Sequence, residues 1–225
     1  MIILTSSKMP QAVRSYFENV LSLPENPDLD PRVAFHTDLS VFSFGNTLVC
    51  APYIFSFLKE RIPQFELIKG EEPKSPYPTE VLYNAALVGR KLFCNIKYTS
   101  PTILSECEKR EITSVNVPQG YAKCSTVIVD DMSIITSDSS IQKAAEKEGI
   151  AALFVSNEGV FLDGYPNGFI GGASTVPEKE VIFTGDIFRS PDAEKIIEFI
   201  EKRGKKPVFF SDMPLYDLGS PIVLA

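Results

Sequence analysis

Short apolar runs recur along the chain at near-equal intervals: Ile2-Ile3-Leu4, Leu48-Val49-Cys50, Leu92-Phe93-Cys94, Ile134-Ile135 and Val181-Ile182-Phe183. Ahead of each of the last four lies another apolar stretch, separated from it by Gly45-Asn46, Gly89-Arg90, Asp130-Asp131 or Pro177-Glu178-Lys179. Gly, Asn and Asp tolerate the positive φ that hairpin turns need. The pattern therefore predicts hairpins over Val33–Ala51, Glu80–Asn95, Tyr121–Ser137 and Phe169–Gly185. A fifth stretch, Leu215–Ala225, has only a first strand, and Ile2–Thr5 supplies the second. Pro31, Pro78, Pro118, Pro166 and Pro214 precede the five stretches, 47, 40, 48 and 48 residues apart. A fixed period of that length is the mark of an internal repeat.

Helices are predicted after the second strands. Pro10, Pro52, Pro101 and Pro191 stand at or near first helical turns, where the missing N–H costs nothing. Ser100 and Ser190 occupy N-cap positions, and Asp138 with Ser139 caps the fourth helix. Val13, Phe17, Val20 and Leu21 read as the apolar face of the first helix; Ala193, Ile196, Ile197 and Ile200 read as that of the last. Gly149 and Gly204 end the last two helices. Strands follow at Phe65–Lys69, Ser114–Val117, Ala151–Val155 and Val208–Phe210, so each unit reads strand–strand–helix–strand. Leu23–Arg32 and Lys69–Pro78 read as surface loops. Because the phase continues across both, one domain is expected over residues 1–225. An α/β ring of five ββαβ units follows, closed by pairing of the N-terminal and C-terminal strands, which removes free sheet edges.

Composition narrows the partners. The net charge is −7 and the sequence pI about 4.9, which argues against nucleic acid and anionic membrane as partners. No apolar run reaches the roughly 18 residues of a membrane span, and Met1–Ser6 lacks the basic segment of a signal peptide. Cys50, Cys94, Cys107 and Cys124 show no paired spacing and read as free thiols, so a cytoplasmic protein is expected. With His36 the single histidine, neither a metal site nor a cofactor is expected.

The segment Gly120–Asp131, followed by Ile134-Ile135 and a helix to Gly149-Ile150, and the double glycine within Gly168–Ser174 give the chain its resemblance to the pentein superfamily, the five-fold α/β-propellers. The resemblance implies chemistry on guanidino groups, in which a cysteine thiolate attacks, a histidine moves protons and carboxylates hold the cationic substrate. This sequence departs from that pattern three times. Gly219 stands where the resemblance places the cysteine. Ile170-Gly171-Gly172-Ala173 stands where it places a Glu-Gly-Gly-Asp pattern. His36 lies in a different unit. The expectation is a pentein-like protein without guanidine-hydrolase machinery, binding a small molecule or a protein partner at its central channel.

An alternative keeps the chemistry. Superposing the repeats aligns Asp38, Asn84, Cys124, Ala173 and Gly219, a layer expected around the channel. His36, two residues before Asp38, shares its strand face by period-two alternation. A Cys124–His36–Asp38 cluster would suit a divergent cysteine-dependent amidine or guanidine C–N hydrolase, or an amidinotransferase-like enzyme, with Asp38 or Asn84 orienting substrate. The plainer reading makes Cys124 a small core residue, as Cys50, Cys94 and Cys107 are expected to be. Asp138 and Asp186 read as helix caps or as acids at the channel mouth. Arg189, beside the last helix start, is a candidate anion contact. Gly171 and Gly172 read as glycines that let backbone or ligand approach closely.

Overall fold

The structure, a computed structural model, describes residues 1–225. Five three-stranded sheets share one connectivity: an antiparallel pair, a helix, then a third strand parallel to the second. Four antiparallel pairs are Val41–Phe44 with Thr47–Cys50, Ala86–Val88 with Lys91–Cys94, Thr126–Asp130 with Ser133–Thr136, and Ser174–Thr175 with Glu180–Phe183. Their parallel third strands are Glu66–Lys69, Thr113–Asn116, Ala151–Phe154 and Lys206–Val208. In the fifth sheet Ile2–Ser6 is central. It pairs antiparallel with Ile222–Leu224, Ile3 opposite Val223, and parallel with Val20–Leu23. The expected pairing of the two ends of the chain is thus present. A further two-stranded sheet, Val160–Phe161 beside Leu215–Tyr216, was not legible in the sequence.

A parallel crossover needs a covering connection. Here it is supplied by helices α1 (Gln11–Arg14), α2 (Pro52–Arg61), α3 (Pro101–Lys109), α4 (Ser139–Lys147) and α5 (Ala193–Glu201). The second strand of every unit is the central one, so both its faces are covered. Such strands read as continuous apolar runs instead of alternating ones, and Leu48, Val49, Cys50, Leu92, Phe93 and Cys94 are fully buried. Ile54 and Leu58 of α2 and Ile103 and Cys107 of α3 close over them. Each such aliphatic burial contributes roughly 1.5–3 kcal/mol. No helix is long and apolar enough to cross a membrane.

Two caps are as expected: Ser100 Oγ accepts from Ile103 N–H at 3.2 Å, and Asp138 Oδ1 accepts from the N–H groups of Ser140 and Ile141 at 2.8 and 3.1 Å. Three local readings need correction. The first helix ends at Arg14, and Val20–Leu23 is a strand: its backbone completes the sheet against Ile3–Ser6, and that pairing outweighs a helical spacing of apolar positions. Asp192, not Ser190, is the N-cap residue of α5, while Ser190 Oγ accepts from Asp192 N–H. Leu215–Tyr216 pairs with Val160–Phe161, so the last first strand begins only at Ile222.

Candidate functional site

The turns that lead into the first strands converge on Cys124. Thr37–Leu39 forms a 3-10 turn, and Cys124 sits in the turn before Thr126–Asp130. Asn84 Oδ1 accepts from the N–H groups of Lys123 and Cys124 at 2.8 and 3.1 Å, and its Nδ2 donates to Cys124 Sγ at 3.2 Å. The thiol in turn donates to Asp38 Oδ2 at 2.9 Å. Asp38 N–H donates to Gly219 O at 3.0 Å. Four of the five aligned positions therefore meet directly.

Beside them lies a second set. Asp217 accepts from Phe169 N–H at 2.8 Å and from Gly219 N–H at 3.0 Å. His36 Nε2 is 3.8 Å from Asp217 Oδ1. Both His36 nitrogens and Asp38 Oδ1 are buried without a hydrogen-bond partner. Glycine makes the arrangement possible. A Cβ on Gly219, whose φ is +69°, would lie 2.3 Å from His36 Cβ, and one on Gly172 would lie 1.9 Å from Asp217 Oδ1. A side chain at position 219 and His36 in its present place exclude one another.

Burial governs the ionisation of the cluster. It drives His36 down to about 4 against the pull of Asp38, so the imidazole is neutral. It raises Asp217 to about 6, opposed by the two backbone N–H donors. Burial, then the neighbouring carboxylates of Asp38 and Asp217, push the Cys124 thiol well above its ordinary value, and Asp38 is raised too, chiefly by burial. Each of these influences favours the protonated thiol at Cys124. His36, Cys124 and Asp217 each offer one metal-ligating atom, all within 4.8 Å of one another.

A pocket of about 270 Å³ opens above Asp38 and Lys123. All five first strands contribute to its wall, through Phe42, Leu87, Ile128, Thr175 and Val223 among others. Lys123 is half-buried there; burial lowers its pKa against the attraction of Asp38, Cys124 and Asp217, and its ammonium makes no direct ion pair or hydrogen bond with a side chain. A larger groove of about 600 Å³ beside Arg14 and Arg61 is a surface feature remote in composition from the Cys124 cluster.

The chain matches, over residues 4–222, the family described as a family of unknown function (DUF6873). It belongs to that family. No curated protein matches it. Solved structures similar to it include a mutant dimethylarginine dimethylaminohydrolase from Pseudomonas aeruginosa complexed with citrulline, at 11% identity and TM-score 0.51, covering 80% of this chain and 71% of that one. A dimethylarginine dimethylaminohydrolase adduct with 4-chloro-2-hydroxymethylpyridine is similar at 10% identity and TM-score 0.50, covering 80% and 73%. An agmatine deiminase of C. jejuni is similar at 9% identity and TM-score 0.47, over 72% of this chain and only 61% of that one. These neighbours are penteins, and the DUF6873 chain has the pentein fold.

On this pentein frame the residues singled out from the sequence divide in two. Cys124, Asp38, Asn84 and His36 come together, but not as period-two alternation predicted. The 3-10 turn at Thr37–Leu39 breaks the strand, and His36 faces Asp217 while Asp38 takes the thiol. Gly171 and Gly172 are packed against the backbone of Cys124 and Thr126 and the carboxylate of Asp217, which leaves no room for a ligand at their α-carbons. Asp138 caps α4, and Asp186 accepts from Phe188 N–H at 3.0 Å to cap a 3-10 turn. Arg189 is exposed. None of these last three bonds to the Cys124 cluster, and helix-start capping is the role the structure shows for the two acids. Asp217 and Lys123 were missed. Asp217 stands two residues before Gly219 as His36 stands before Asp38, and the same offset read across all five units would have found it.

Proposed function

We propose that this protein binds a small molecule with an apolar body and one anionic group, such as a carboxylate, in the pocket ringed by the five first strands. The observation that carries this reading is Lys123: a half-buried ammonium without a side-chain partner, set in a mainly apolar cavity. A half-buried charge that no side chain contacts directly is costly, and an anionic ligand in contact with it would offset that cost. Pockets of this kind typically combine an apolar wall with a few placed polar groups. At about 270 Å³ the cavity takes a molecule of roughly amino-acid size. The wall drawn from all five units supports a closed five-bladed α/β-propeller with the pocket on its axis. In this reading the neutral, fully buried Cys124 holds the pocket floor through Asn84 and Asp38 and performs no guanidine hydrolysis.

Calorimetric titration against a panel of small carboxylates tests it. Wild-type protein should bind at least one member, and Lys123→Met should lose that affinity while keeping its fold by circular dichroism. Equal affinity in Lys123→Met would overturn the assignment. So would release of ammonia or urea from a guanidino compound that stops in Cys124→Ala. That result would favour the second reading, a cysteine-dependent C–N hydrolase, for which the 2.9 Å contact between Cys124 and Asp38 speaks.

A further inference from the structure

The two unpartnered nitrogens of His36 call for an explanation. Buried polar atoms are nearly always paired with protein, water or an ion, and His36 is only 3% exposed. Its imidazole, the Cys124 sulfur and the Asp217 carboxylate come from three different units of the chain, yet one ligand-type atom of each falls within 4.8 Å of the other two. In a tetrahedral zinc site, Zn–S near 2.3 Å and Zn–N or Zn–O near 2.0–2.2 Å place neighbouring ligand atoms roughly 3.3–3.8 Å apart. The 3.8 Å between His36 Nε2 and Asp217 Oδ1 is already at that spacing. The sequence concealed this set, because metal sites are sought as closely spaced ligands, and here the ligand positions are 36, 124 and 217.

We propose that His36, Cys124 and Asp217 form a buried site for a divalent zinc-type cation. One imidazole, one thiolate and one carboxylate are a donor set suited to zinc and its tetrahedral analogues. Thiolate and carboxylate together balance the charge of the ion, which removes the electrostatic objection to burying it. On binding, the Cys124 S–H proton passes to the Asp38 carboxylate that already accepts from it, and a sulfur lone pair makes the metal–sulfur bond; nothing is oxidised. Supporting hydrogen bonds are in place: Asn84 Nδ2 to the sulfur, and the N–H groups of Phe169 and Gly219 to the Asp217 carboxylate. Asp38, 2.9 Å from the sulfur, stays outside the ligand set and, once protonated, donates back to the thiolate. Asp217 also borders a second pocket of about 360 Å³, beside Leu218 and Phe35. Gly219 and Gly172 keep open the space that His36 and Asp217 fill. The site does not depend on the anion pocket, and neither test uses the other's ligand.

The test is cobalt titration of chelator-treated protein. Wild-type should take up a single equivalent, with a thiolate-to-cobalt charge-transfer band and intense tetrahedral d–d bands, and zinc should displace it. Cys124→Ser should abolish the charge-transfer band, and His36→Gln should weaken binding by at least about tenfold. Zinc-edge X-ray absorption of the wild-type protein reads one sulfur and two or more nitrogen or oxygen ligands without any variant, so a variant that unfolds does not decide the matter. No thiolate band in wild-type, a band that persists in Cys124→Ser, or a zinc edge without sulfur would each overturn the proposal.

Discussion

The central strands of the sheets and the turns that feed their first strands occupy equivalent places in every unit but are built on opposite terms. The strands repeat: Leu48-Val49-Cys50, Leu92-Phe93-Cys94, Ile134-Ile135 and Val181-Ile182-Phe183 are all apolar and all at most 1% exposed. Each lies under its own helix and needs the same thing of its sequence. The turns differ: Asp38, Asn84, Cys124, Ala173 and Gly219 share no chemistry. They cannot repeat, because they compete for one volume. Asp38 and Asn84 bring polar groups to Cys124, while Gly219 and Gly172 give up their side chains to make room for His36 and Asp217. Uniformity marks what holds the protein together. Its loss, at the same repeat position, marks where the units address one another and any ligand.

That contrast can be broken at several strengths. The largest effect is expected from Gly219→Ala, which forces both a strained φ and contact with His36 Cα and Cβ at 2.5 and 2.3 Å. Chemical denaturation should show a loss of about 3–5 kcal/mol. Gly149→Ala, at φ +76° with nothing within 4 Å, should lose only about 1 kcal/mol; equal losses would remove the distinction between centre and periphery. Next comes Asn84→Ala, which strands the buried Cys124 N–H and the part-buried Lys123 N–H and should cost about 2 kcal/mol. It should also raise the rate of Cys124 alkylation under native conditions, read by mass spectrometry. The smallest is Asp138→Ala at the start of α4, about 1 kcal/mol near neutral pH. Burial pushes the Asp138 carboxyl up, but Ser140, Ile141 and Gln119 together hold it below 3.8. Its stabilisation is therefore fully present above pH 3.8 and lost as pH falls through the lower folded value. The difference between variant and wild-type melting temperatures should shrink in that range.

Much of the architecture was legible because it rests on local chemistry. Hairpin turns carry Gly45-Asn46 and Gly89-Arg90, caps carry Ser100 and Asp138, and central strands carry unbroken apolar runs. Val20–Leu23 misled because spacing of three and four from Val13 and Phe17 mimics a helix, and only the partner strand Ile3–Ser6, distant in its own local signal, decides the matter. The site was legible in part. Repeat alignment brought Asp38, Asn84 and Cys124 to one place. The orientation of His36 depended on a 3-10 turn that no periodicity announces, and Asp217 lay hidden beside a glycine noticed only for what it lacked.

The pairing of Ile2–Leu4 with Ile222–Leu224 bears on how the chain reaches this structure. The central strand of one sheet precedes the other strands of the fold along the chain, and its antiparallel neighbour, Ile222–Leu224, follows them. Until the two pair, the central strand can hold only Val20–Leu23, with its other edge open to any strand that offers hydrogen bonds. Closing so long a loop adds to the entropic barrier, and contacts of such sequence separation slow folding. The four internal units each complete their pairing within a short span, so the joint between Ile2–Leu4 and Ile222–Leu224 is the strand pairing of longest sequence separation in the fold.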